Sequence, residues 1–283
     1  MRYRVLSLIP ALAAAVAAGP VAHATTLLDD GFGQMYNLQF GQAHNSFQEW
    51  TREHPADPMG PVSDAAAYLF AEFDRLHILQ SEFFTHDQHF VTDHKLTPDP
   101  GIKQKFEAAL ASARSLASRA PRDKNSQFAT ILASGLHSNY LALIEKRYAA
   151  ALSEMKAGRT QAEKLLATDP QFYDAWLPVG VENYMLSIKA APVRWLLRLS
   201  GAETDRATGL EKLRLTAEKG HYLAPFARML LGVAALRDNH DTRTASAILA
   251  DLARQYPQNP LYREELARLN PGGPGTASRT ANP

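Results

Sequence analysis

Three histidines, His86, His89 and His94, fall in one short stretch beside Asp87 and Asp93. Neutral imidazole is a common ligand for zinc, copper or nickel, and a nearby carboxylate can complete such a set. His86 and His89 are three residues apart, so on a helix they share a face. A hydrolytic metal centre also wants a base beside its ligands, and the H-E-x-x-H spacing that supplies one is absent. Phe83, Phe84 and Phe90 are interleaved with the histidines. They support a plainer reading, a loop or short helix docked by its rings with its polar residues in water. A metal site needs matched geometry and supporting outer-sphere contacts, so the plainer reading is adopted and no metal ligand is assigned. Metal binding, or a metal-dependent enzyme built on His86 and His89, is the alternative from another functional class.

Nucleophilic chemistry has less to stand on. Ser134 and Ser138 flank His137, but the G-x-S-x-G elbow is missing, as is the strand–turn–helix context that strains it. Glu72, Asp74 and Glu82 lie on or near a predicted helix whose exposed face needs charge in any case. No glycine-rich phosphate loop is present. The chain has no cysteine, which excludes disulfides, thiol nucleophiles, iron–sulfur clusters and cysteine-based zinc sites together. No catalytic residue and no cofactor are therefore assigned. A formal net charge of +1 gives no electrostatic argument for nucleic acid or an acidic substrate. One basic amphipathic stretch remains, around Trp195. Arg194 and Arg198 share one face there, and Trp195 and Leu199 another. It reads as packing on a neighbouring helix, with peripheral contact to a membrane or an envelope assembly partner as the alternative.

The elements that would hold these residues are helical. At 283 residues with 46% hydrophobic and 21% charged content, the chain suits one sizeable core or an array of helix pairs. Residues 1–24 read as a signal peptide: Arg2 and Arg4, an apolar alanine-rich run, then Ala22-His23-Ala24. Cleavage after Ala24 is expected, giving an exported periplasmic or secreted protein with no membrane span left after processing. Residues 271–283 are rich in glycine, proline, serine and threonine and read as a flexible tail. Between them, residues 25–270 read as one helical domain.

Within that domain the apolar spacing follows helix periodicity. Phe40, Ala43 and Phe47 make one stripe, and Ala66, Leu69, Phe70, Phe73 and Leu76 the next, with Ser63 or Asp64 as its cap after a Pro58–Pro61 loop. Asp99-Pro100 opens a helix faced by Phe106, Leu110 and Ala113. A helix pair spans Ser126 to Asp169, with Gly135 as the small residue of its first helix. The next unit begins at Asp174, is interrupted from Ala190 to Thr208, and resumes at Leu210. Phe226 to Pro257 forms a last pair, with Gly232 where the helices approach and Ala245 at their crossing, followed by Leu261 to Leu269.

The series Trp176/Gly180/Tyr184, Tyr148/Ala151 and Ala245/Pro257 resembles the tetratricopeptide-repeat superfamily. The final segment, from Gly220 and Tyr222 through Tyr256-Pro257-Gln258-Asn259-Pro260, is similar to exported bacterial repeat proteins of unassigned function. The resemblance implies an all-α, right-handed solenoid of antiparallel helix pairs that binds a protein or peptide partner in its groove. The histidine-rich segment, the long Tyr148 helix and the Ala190 insertion break the regular period, and no family binding residues are carried over.

Overall fold

The computed structural model describes residues 25–79, 96–189 and 204–270. Among these residues there are eleven α-helices and no strand. In chain order they are α1 (Leu27–Tyr36), α2 (Phe40–Glu53), α3 (Met59–Arg75), α4 (Pro100–Arg119), α5 (Lys124–Asn139), α6 (Tyr148–Thr168), α7 (Trp176–Ser187), α8 (Arg206–Lys219), α9 (Ala224–Asn239), α10 (Thr242–Gln255) and α11 (Pro260–Leu269). Each helix packs on the next in sequence, and α3 also reaches α1 and α5. His86, His89, His94 and the Trp195 stretch lie outside the described residues, as do residues 1–24 and 271–283, read from the sequence as signal peptide and tail.

The helix starts follow from local chemistry. Asp99, Asp123, Asp205, Asp241 and Asn259 each cap a helix by accepting a backbone N–H from its first turn. Thr26 and Asp29 cap α1 reciprocally. The expected stripes are buried: Ala43 and Phe47 on α2, Leu69 and Phe73 on α3, and Phe106, Leu110 and Ala113 on α4.

Several boundaries differ from the sequence reading. The Pro58–Pro61 stretch is the first turn of α3 rather than a loop, so Ser63 and Asp64 lie inside the helix. Asp57 accepts the N–H of Met59, and Pro61 falls in the first turn, where its missing N–H has no intrahelical partner to lose. Gly60 is needed there, since a Cβ would sit 2.2 Å from the Thr51 hydroxyl. After the insertion, the chain is helical from Arg206, four residues before Leu210, because Asp205 caps it. Between α5 and α6 the backbone makes a π-helical turn over Tyr140–Ile144. A Cβ on Gly135 would meet no neighbour, whereas one on Gly158 of α6 would press on Ser134, so Gly158 is the small residue this crossing needs.

The two ends of the array also meet. Tyr36 of α1 donates its hydroxyl to the Tyr222 carbonyl at 2.8 Å. The Asn259 amide donates to the Tyr36 carbonyl, and Asn37 accepts the N–H of Gln258. The Tyr222 ring stacks on Phe32 at 4.7 Å and faces Phe128 at 6.4 Å. The chain's own aromatic side chains thereby fill part of the space between the first and the later helices.

Candidate functional site

Where α1 meets α9, α10 and α11, an apolar cleft remains. Its walls are Met35 and Leu38 from the N-terminal end, Phe70 and Leu79 from α3 and its exit, and Phe226, Met229, Val233, Leu236, Ile248 and Leu249 from the last helix pair. Its volume is about 60 Å³. On α9 these side chains recur every three or four residues, and on α10 Ile248 and Leu249 follow Ala245, which also lines the cleft, by three and four, so each helix turns one apolar edge to the same gap. Several are only half-buried in the chain itself. Tyr36 and Tyr262 border the cleft, and burial holds both phenols above the usual tyrosine range.

The polar side chains along this lining are engaged internally. Asn259 donates to the Tyr36 carbonyl at 2.9 Å and accepts the Leu261 N–H at 3.0 Å. Glu265 is buried and takes the Arg268 guanidinium at 2.7 Å. The Tyr36 hydroxyl is spent on Tyr222.

Elsewhere, buried charge serves as scaffold. Asp174, 4% exposed, accepts three backbone N–H groups in succession, from His221, Tyr222 and Leu223. Burial raises its pKa, and the three N–H groups pull the other way without cancelling the effect. This carboxylate fixes the turn that carries Tyr222. Glu72 corrects the sequence reading, because it is buried rather than on an exposed face. Its carboxylate accepts from Arg75 Nε and Nη2 and from the Asp99 N–H, while Arg75 also donates to the Thr97 carbonyl. The pair thus ties the end of α3 to the start of α4. Glu182 is fully buried with Arg159 3.2 Å away.

The serine and histidine candidates do not converge. His137 faces Glu154 at 2.8 Å, and the Ser138 hydroxyl donates to the Ala151 carbonyl instead. Sequence reasoning missed His44, whose Nδ1 lies 2.5 Å from Asp64 with the Tyr68 ring against it. The four-residue spacing of Asp64 and Tyr68 puts them on one face of α3, but nothing in the sequence pairs that face with α2. No group of three metal-ligating side chains occurs among the described residues. Nor is any described helix long and apolar enough to cross a membrane.

No protein-family model, curated protein or solved structure matches the chain. The fold by itself defines a class, an all-α protein with a helical-repeat-like succession of packed helices. Its particular character lies in the joined ends and in the apolar cleft beside them.

Proposed function

We propose that this protein is a non-catalytic interaction or scaffold module of the bacterial cell envelope, related to the tetratricopeptide-repeat superfamily, which holds a protein partner. The observation that carries the reading is the cleft. Half-buried aliphatic and aromatic side chains from two successive helices face a common gap, and apolar clefts between helices are favoured places for binding. Export, with cleavage after Ala24, is part of the same proposal.

The test is capture by mature protein, residues 25–283, from its own envelope extract, alongside a Val233→Asp variant. Val233 is half-buried on the cleft wall, so a carboxylate there disfavours an apolar partner and leaves the core alone. A partner retained by the parent and lost by a variant with an unchanged circular dichroism spectrum is expected. Equal capture by both proteins would remove the cleft from the reading. No specific capture by either would remove the reading itself.

A further inference from the structure

We infer that the joined ends of the array form an acid-tightened latch, in which a proton on His221 strengthens its hold on Asp29 and draws α1 onto the turn before α9. Several bonds across this seam join neutral groups: Tyr36 to the Tyr222 carbonyl, Asn259 to the Tyr36 carbonyl, the Gln258 N–H to Asn37, and Gln39 to Gln258. None of those side chains changes charge near neutral pH. The bond between His221 and Asp29 differs in kind. His221 Nε2 lies 2.6 Å from Asp29 Oδ1, across 192 residues of chain. Imidazole is the side chain that changes charge between about pH 5 and 8.

The turn holds the imidazole in place. The backbone N–H groups of His221, Tyr222 and Leu223 all donate to Asp174, and the His221 ring lies on the Tyr222 ring at 4.2 Å and 10°. The charged groups around this corner are carboxylates: Asp29 from α1, with Asp30 beside it, Asp174 from the segment before α7, and Asp57 from the α2–α3 connection. Burial, followed by the charges of Asp29, Asp174 and Asp57, pushes the Tyr222 phenol up to about 12. Lys219, at the end of α8, is placed over the Tyr173 ring, 5.2 Å from its centre. Burial pushes the Asp29 carboxyl up as well, but the bonds from Thr26 and the nearness of His221 outweigh it and hold the group below the ordinary aspartate range. The stability that Asp29 brings is thus present at neutral pH and lost only as pH falls through that lowered value. Above it, the partner that changes is the imidazole. A neutral ring can still donate from Nε2, but without the charge that roughly doubles the strength of such a bond. The closed seam therefore favours the protonated ring, so acid tightens the latch and loss of the proton with rising pH loosens it. The His221 side chain is 65% exposed and water screens the pair, so the gain is about two- to fivefold in the ratio of closed to open seam. Opening would bare the rings of Phe32 and Tyr222, which stack across it at 4.7 Å.

Hydrogen exchange on the mature protein, residues 25–283, tests this at about pH 5.5 and about pH 8. Each α1 amide rate is divided by its intrinsic rate at that pH and referred to α5, so that a change in overall stability cancels. The variants are His221→Gln, which keeps a donor but takes up no proton, and Asp29→Asn, which keeps an acceptor for Thr26 without the charge. The parent should protect α1 about two to five times better at the lower pH, and neither variant should show that difference. Equal protection at both pH values in the parent would overturn the inference. So would a gain that survives in either variant, since it would arise from Asp174 or from another histidine. Salt supplies a check that needs no variant. In about 1 M sodium chloride the screening length falls to roughly 3 Å, and most of the parent's gain at the lower pH should vanish. An undiminished gain would show that no ion pair holds the seam, and the latch would fall with it.

Discussion

Single atoms decide what two of the glycines do. A Cβ on Gly209 would lie 2.6 Å from the backbone nitrogen of Tyr184, and backbone cannot yield to it as a side chain might. At Gly232 the nearest atom would be Ile248 Cγ2 at 3.7 Å, an ordinary contact. Gly209→Ala is therefore expected to lower stability by about 1–3 kcal/mol through overpacking. Gly232→Ala should raise it by about 0.5–1 kcal/mol through helix propensity. Urea denaturation of the two variants measures both, and equal shifts would mean that the close approach of α7 and α8 is wrong. Asp174 makes a second residue-scale prediction. Its folded pKa is raised above the 3.8 of a free aspartate, so the stability linked to its protonation is present below about pH 4 and lost as pH rises through the folded value. Asp174→Asn cannot take up that proton. The parent should therefore gain stability relative to this variant as pH falls from 7 towards 4, read from melting temperatures across the series. A gap that narrows with acid would contradict the raised pKa.

Along the elements, the exit of α3 and the entry of α4 share one buried carboxylate. Glu72 is 1% exposed, whereas the Arg75 side chain is 45% exposed. Removing Arg75 strands a buried charge with little beyond the Asp99 N–H to offset it. Removing the Glu72 charge leaves an arginine that water can reach. Arg75→Ala should thus cost about 3 kcal/mol, the low end for breaking a buried pair because water reaches one partner. Glu72→Gln should cost only about 1–2 kcal/mol. Equal losses in chemical denaturation would show that water already reaches the carboxylate. The helices themselves were legible from sequence, since periodicity and Asp or Asn caps act over a few residues: Asp99-Pro100 and Ala43/Phe47 are examples. Glu72 was misread because a carboxylate on a helix carries no local mark of burial; its neighbours across the interface decide that. The cleft was half legible. Met229, Val233, Leu236 and Leu249 stand out as helix faces, but Met35 and Phe70 join them only through contacts distant in sequence.

Taken whole, the molecule is fastened at its ends by few groups. Tyr36→Phe with Asn259→Ala removes two hydrogen bonds between α1 and the C-terminal half, and the cap of α11 with them, at a net cost of about 1.5–5 kcal/mol. The effect should be local. Hydrogen exchange is expected to quicken in α1 and at Tyr222–Tyr256 while α5 and α6 keep their protection. Uniform loss of protection would mean that the ends do not open separately. The same joined ends set an order of assembly. Tyr36 and Tyr222 are 186 residues apart, and Tyr36 and Asn259 are 223 apart. Helices α1 to α7 can pair as they emerge, each with its neighbour, but the face of α1 that meets Tyr222 and Asn259 must wait for the last fifth of the chain. Its half-finished face, with Phe32, Met35 and Tyr36, stays wet through most of synthesis, and closing so long a loop is slow compared with pairing neighbours. Truncation before Tyr222 would therefore uncover one face of the first helix as well as shorten the array, and a proteolytic fragment lacking the C-terminus should begin to fray at the opposite end.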